Sequence, residues 1–264
     1  MAESIIRIEN LHKSFQGQPV LNGVNLSVPA GGITVVIGLS GGGKSVLLKH
    51  IIGLLQPDSG EIYIAGQALS GLAAAARHAL RRKCSYMFQG MALFDSLTVF
   101  DNVALPLREK TRLAKAAIAE RVMEKIERLE LGQIAGKYPS QISGGMQKRV
   151  ALARALITEP EIVLFDEPTT GLDPLRKTAV LNLITQSKNQ FGFTAILVSH
   201  DIPRVFGVAT RVAMLSDGRI VFEGSPEEAR QANTPALKEF LLAGPGEPSG
   251  GQRGAAPLET PPGD

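Results

Sequence analysis

The sequence predicts an α/β fold: a parallel sheet core clad in helices, an antiparallel β layer beside it, and an inserted α-helical subdomain. Three observations carry this expectation. Ile33-Thr34-Val35-Val36-Ile37, Ile162-Val163-Leu164-Phe165 and Ala195-Ile196-Leu197-Val198 are nearly continuous apolar runs of strand length, as in strands buried on both faces. Val24-Asn25-Leu26-Ser27-Val28 instead alternates apolar and polar, the mark of a strand with one wet face. Ile118, Val122, Ile126 and Leu129 recur at spacings of four, four and three, which places them on one helical face.

The other elements follow in chain order. Ile5 to Ile8 is a short β-rich run, and the turn signal Gln56-Pro57-Asp58-Ser59-Gly60 precedes a strand at Ile62 to Ile64. With Val24–Val28 these compose the antiparallel layer. The run Ile33–Ile37 leads into a helical pattern over Val46–Leu55. Residues 90–157 read as the helical insert. There the helix through Ile118 and Leu129 carries Glu120, Arg121, Glu124, Lys125, Glu127 and Arg128 on its remaining surface. A second helix starts at Ser143, a good N-cap, with Met146, Val150, Ala153 and Ile157 on one face. Ala179 to Ser187 is helical and precedes the third buried run. Asp217-Gly218, between Val212–Leu215 and Arg219–Phe222, signals a hairpin. One domain is expected over 1–242, followed by a tail, 243–264, whose six Gly and five Pro predict disorder.

Composition excludes several classes. With 264 residues, 44% hydrophobic and 20% charged, the chain can bury a large core and is not disordered throughout. No run of about eighteen apolar residues exists, so no membrane span is expected. The longest charge-free stretch, Ser14 to Gly43, is interrupted by Asn22, Asn25, Pro29 and a glycine cluster. Met1-Ala2-Glu3-Ser4-Ile5-Ile6-Arg7 lacks the basic start and apolar core of a secretory signal. The single cysteine, Cys84, cannot form an internal disulfide, which suits a reducing cytoplasm. Lys and Arg outnumber Asp and Glu only 28 to 25, without a basic tract, and there is no Trp. A nucleic-acid partner is therefore not expected.

Chemistry concentrates in a few segments. Gly38-Leu39-Ser40-Gly41-Gly42-Gly43-Lys44-Ser45 matches G-x-x-x-x-G-K-[ST] between a buried strand and a helical pattern, the arrangement of a P-loop NTPase. Its glycines let successive N–H groups point at a polyphosphate, and the helix N-terminus adds positive potential. Lys44 would reach the β- and γ-phosphates, and Ser45 would offer its hydroxyl to Mg²⁺. Asp166-Glu167-Pro168 closes the second buried strand. Taken alone such a pair reads as a turn; below a phosphate loop, Asp166 becomes a Mg²⁺ ligand and Glu167 the group that polarises attacking water. His200 arrives at the same sheet edge after the third strand, placed to contact a γ-phosphate. Ser143-Gly144-Gly145 opens a helix and offers a second set of N–H groups to an anion.

Together Gly38–Ser45, Gln89, Ile142–Met146, Ile162–Glu167, Gly171-Leu172-Asp173 and His200 resemble an ABC-transporter ATP-binding subunit in order and spacing, over about residues 5 to 240. The resemblance implies an ATPase using ATP and Mg²⁺. Phe15 would stack on adenine, and Val46 would follow the loop into the phosphate site. Gln89 would join Ser45 and Asp166 at the metal, sense the γ-phosphate and report to a membrane partner. Ser143, Gly144 and Gly145 would cap ATP held by a second copy in a head-to-tail dimer, with Asp173 at the interface. Two residues depart from the common pattern: Met146 stands where Gln is usual and Val46 where Thr is usual. The segments Gly43–Leu48, Met87–Phe100 and Ser143–Met146 look most like the Mla/Mce phospholipid-transport ATPases. That likeness implies a Mla-type permease, an MCE-domain lipid-binding protein, a small cytoplasmic STAS-type subunit, and a peripheral place on the cytoplasmic face of a Gram-negative inner membrane. The alternatives are an importer of a small solute and, further off, a nucleic-acid-linked ABC ATPase, whose long coiled-coil insertion or paired cassettes are missing here.

Overall fold

The computed structural model describes residues 4–88 and 90–242. Gln89 and the glycine- and proline-rich stretch 243–264, for which the sequence predicts disorder, lie outside the described residues. The strands are β1 (Ser4–Phe15), β2 (Gln18–Pro29), β3 (Ile33–Ile37), β4 (Ser59–Ile64), β5 (Gln67–Ala68), β6 (Cys84–Met87), β7 (Ile162–Asp166), β8 (Thr194–Val198), β9 (Arg211–Ser216) and β10 (Arg219–Gly224). The helices are α1 (Lys44–Ile51), α2 (Ala74–Arg82), α3 (Val99–Lys110), α4 (Lys115–Arg128), α5 (Gly144–Leu156), α6 (Pro174–Phe191), α7 (Ile202–Phe206), α8 (Pro226–Gln231) and α9 (Pro235–Leu242).

Two sheets organise the chain. One is antiparallel, in the order β2-β1-β4-β5; the other runs β10-β9-β3-β8-β7-β6. In the second, β9, β3, β8, β7 and β6 are mutually parallel, and β10 returns antiparallel along the edge. Its three apolar runs owe their continuity to two separate cores. Val35, Ile37, Val163, Phe165, Ala195 and Leu197 pack with the helices of the insert and with α6. Val36, Ile162, Leu164, Ile196 and Val198 pack with α1 and the antiparallel sheet. Successive strand residues point to opposite faces, so both alternating sets must be apolar. This is the α/β architecture the sequence predicts.

Local differences have local causes. The short runs Ile5–Ile8 and Val24–Val28 are the far ends of one hairpin of two twelve-residue strands, β1 and β2, turned at Gln16-Gly17 with positive φ at both residues. Four register shifts break its alternation, which hid its length. α1 begins at Lys44 and stops at Ile51, inside the expected Val46–Leu55 boundary at its far end, because Gly53 turns left-handed (φ 71°). On α5, Val150, Ala153 and Ile157 are buried but Met146 is exposed, which corrects the expectation of one shared face. The helix is wet in its first turn and enclosed thereafter. β6, α2 and α3 have no counterpart in the sequence reading. α3 starts at a Thr98 cap whose hydroxyl oxygen accepts from Asp101 N–H. The Asp217-Gly218 hairpin forms as expected, with Arg219 paired to Ser216.

Candidate functional site

The site lies at the carboxyl ends of β3, β7 and β8, where ligands of open α/β sheets gather. Gly38 leaves β3 at φ 149°, and a Cβ there would sit 2.2 Å from the Leu215 carbonyl oxygen. Gly43 (φ 92°) is the last residue before α1, and a Cβ would press on Val20 and Leu21. These two positions explain why the loop needs glycine. We expect Gly38→Ala to destabilise the fold by roughly 2 kcal/mol or more through backbone displacement. That is a fall in Tm of about 4–8 °C for a chain of this size, measurable by calorimetry; an unchanged Tm would contradict the close approach.

No side chain caps the start of α1, so its first N–H groups remain for an anion. Lys44 folds back over the loop: its ammonium donates to the carbonyls of Gly38 (3.0 Å) and Leu39 (2.7 Å). The side chain is nearly sealed from water. Burial therefore lowers its pKa, while the nearby charges of Glu167 and Asp166 pull it back up. Leu39 and Ser40 are exposed at the loop tip, and Gly41 adopts φ 77°. The Val46 side chain is half-buried against the core.

Ser45 and Asp166, 121 positions apart, meet directly. The Ser45 hydroxyl donates to Asp166 Oδ1 at 2.7 Å, and the Tyr86 hydroxyl donates to Oδ2 at 2.6 Å. Tyr86 was not anticipated: nothing in Cys84–Met87 marks it as more than a strand residue. Burial and the Asp166 charge raise its pKa, so it stays protonated as a donor. Glu167 takes φ 47°, a left-handed conformation that costs a non-glycine residue of order 1 kcal/mol. The turn swings its carboxylate off the strand direction, where Thr170 Oγ donates to it at 2.8 Å. His200 Nδ1 stands 3.6 Å from the same carboxylate, too far for a hydrogen bond, and among the described residues it has no hydrogen-bond partner. Lys148, buried on α5, donates to the Pro168 carbonyl at 2.8 Å and so ties that helix to the turn after Glu167. Thr170 and Lys148 carried no sequence signal either.

Lys44, Ser45, Asp166, Glu167 and His200 thus form one cluster. Ser143, Gly144 and Gly145 stand apart, exposed at the head of α5, where the Ser143 hydroxyl oxygen accepts from Met146 N–H. Among the described residues no hydrogen bond joins them to the cluster. Phe15 is half-exposed at the β1–β2 turn, with the Lys13 ammonium 5.5 Å from its ring centre. Gln89 lies outside the described residues. Asp173 caps α6, accepting from Arg176 N–H.

A hydroxyl and a carboxylate converging, with phosphate-directed N–H groups beside them, suit a hard divalent cation such as Mg²⁺, which takes few protein ligands when phosphates supply the rest. Among the described residues no larger group of metal-ligating side chains exists. A second feature is an apolar groove of about 450 Å³ between the cores, walled by Leu54, Phe88, Met91, Phe94 and Leu105. Leu54, Phe88 and Phe94 are exposed, whereas Val99 is wholly buried. The exposed apolar surface therefore stops short of Val99.

Comparison with known proteins agrees with this geometry. The sequence pattern of the ABC transporter family matches residues 21–170. The chain is 38% identical over 245 residues to the intermembrane phospholipid transport system ATP-binding protein MlaF of Escherichia coli K12, covering 93% of this chain and 88% of that one. It is 39% identical to the probable ribonucleotide transport ATP-binding protein mkl of Mycobacterium tuberculosis H37Rv, over 89% of this chain and 66% of that one. Among solved structures, the ATP-binding cassette MJ0796, a post-hydrolysis dimer bound to ADP and Pi, superposes with a TM-score of 0.73 at 33% identity, covering 84% of this chain and 98% of that one. CbiO1 of Clostridium perfringens, part of the cbiONQ transporter complex, gives 0.79 at 28% identity, covering 91% and 99%. Since the family pattern spans more than half of the sequence and the relatives align along most of it, the chain belongs to the ABC transporter family, as an ATP-hydrolysing subunit.

Proposed function

We propose that this subunit powers phospholipid transport between the inner and outer membranes. The observation that carries the reading is the match to MlaF along 93% of the chain. No described helix is long and apolar enough to cross a membrane, so the span belongs to a separate permease. The subunit then sits on the cytoplasmic face of the inner membrane, with an MCE-domain protein and a STAS-type subunit in the same complex.

In this reading Lys44 and the loop N–H groups from Gly38 to Val46 hold the phosphates of ATP, and Phe15 carries the base. Bound Mg²⁺ would neutralise phosphate charge, and Ser45, Asp166 and Gln89 would hold it. Tyr86 keeps one oxygen of Asp166 engaged and leaves the other facing Ser45. Glu167 accepts the proton of the attacking water, held by Thr170, and His200 faces the γ-phosphate. Ser143, Gly144 and Gly145, remote from their own cluster, cap the nucleotide of a second copy in a two-fold pair.

The apolar groove receives a cytoplasmic helix of the permease. Phe94→Asp would bury a charge at that contact. We expect at least a tenfold loss of permease affinity, about 1.4 kcal/mol, with ATP binding unchanged; retention of the permease on a tagged Phe94→Asp subunit would contradict it. The function itself is tested by purifying the native complex, identifying bound lipid and following ATP-dependent lipid transfer. The likeness to mkl, named for ribonucleotide transport, favours a second reading, import of a soluble solute. Stimulation by a solute-binding protein, with no lipid and no MCE-domain protein present, would establish that reading instead.

A further inference from the structure

The apolar face of α4 is interrupted by a charge. Ile118, Val122, Ile126 and Leu129 are buried on it, and so is Lys125, at 6% exposure. Its ammonium lies 4.2 Å above the centre of the Phe191 ring, and the Arg128 guanidinium lies 4.3 Å from the same centre. One aromatic ring thus holds two cations close together. A ring face engages only one side of an ammonium, and the remaining donors of Lys125 meet no carboxylate within 4 Å among the described residues. Among the described residues Arg128 meets one carboxylate, that of the exposed Glu124, at 3.5 Å.

Both cations line a cavity of about 260 Å³ shared with Leu156, Glu159, Gln190 and Phe193. The charged groups around it are Lys125, Arg128, Glu124 and Glu159, and the last two act on Lys125 through space. The Lys125 side chain is nearly enclosed and opens on this cavity, where an acceptor would offset the cost of burying its charge. Hydrophobic packing does not account for the arrangement, because a methionine at 125 would fill the helix face without that cost.

We propose that Lys125, Arg128 and the Gln190 amide form a binding site for a small free oxyanion of the phosphate type, separate from the nucleotide site. The site joins α4 to the segment Leu156–Pro160, which leads into β7, and to Gln190–Phe193, which leads into β8. Those two strands deliver Asp166 and His200. An anion bound there pins the helical insert to the strands that carry the catalytic cluster. Burial lowers the Lys125 pKa, and a bound oxyanion would raise it, so affinity should fall as the ammonium loses its proton. None of this depends on which molecule the transporter carries.

The test is calorimetric titration of inorganic phosphate into the full chain. ADP and Mg²⁺ at saturation keep the glycine loop filled, and Lys44→Ala provides a second preparation in which that loop is disabled. We expect one saturable phosphate site in both. Lys125→Met should weaken it about thirtyfold or more, the loss expected when a buried charge pair is broken, while Lys125→Arg should restore much of the affinity. If Lys125→Met does not fold, Arg128→Gln carries the same expectation. The proposal is overturned if the wild type shows no saturable heat, if the heat disappears with Lys44→Ala, or if Lys125→Met titrates like the wild type.

Discussion

Glu167→Gln is expected to bind ATP as tightly as the wild type and to hydrolyse it at least about a hundredfold more slowly, the lower end of what a general base supplies. The substitution is close to isosteric. The Thr170 hydroxyl, 2.8 Å from Oε2, can still donate to an amide oxygen, and the left-handed turn at φ 47° is unaffected in shape. What disappears is the capacity to accept a proton. Affinity should survive because the groups proposed to hold phosphate, Lys44, Ser45 and the loop N–H groups, are untouched. Unhydrolysed ATP should also hold two copies together, since in the proposed pairing Ser143 caps a nucleotide held by the other chain. Steady-state hydrolysis, equilibrium nucleotide binding and sedimentation with ATP, on one preparation, check all three. Wild-type turnover would remove Glu167 from its role, and a doubly loaded complex whose Ser143 contacts its own ATP would remove the head-to-tail pairing.

How much of this was legible beforehand depended on whether the signal was local. The strand, loop and helix around Gly38–Ser45 were readable because every constraint there acts over a few residues: a doubly buried strand, glycines at special φ, a helix start. The partners of that loop were only partly readable. Asp166 could be placed at the end of an apolar run, but its contact with Ser45 spans 121 positions and follows only from the β3-β8-β7 order. Tyr86 and Lys148 were invisible for a related reason. Tyr86 sits in a four-residue edge strand, and Lys148 looks like a solvated charge until its helix is known to be enclosed beyond the first turn. Met146 departs from its expected face for the same reason, because periodicity says which residues share a face and not where along the helix burial begins. The sequence likewise shows Lys125 as one of six charges on a helix, with nothing to say that it alone is buried, against Phe191.

Lys44→Ala should behave in the opposite way to Glu167→Gln, losing affinity as well as turnover. A charge-assisted hydrogen bond to phosphate contributes about 1.5–3 kcal/mol, so ATP binding should weaken roughly ten- to hundredfold. Stability is the discriminating measurement. In the wild type the ammonium is buried at a cost that lowers its pKa, offset by its bonds to the Gly38 and Leu39 carbonyls. Alanine removes both the cost and the compensation, freeing the carbonyls of buried Gly38 and exposed Leu39 together with the space that the side chain filled. Tm measured without nucleotide should therefore change little, while the rise in Tm on adding ATP should shrink with the affinity. A Lys44→Ala variant that melts far below the wild type before nucleotide is added would show the lysine to be chiefly a brace for the loop. One that keeps the full ATP-induced rise would show that the phosphates are held by the backbone alone.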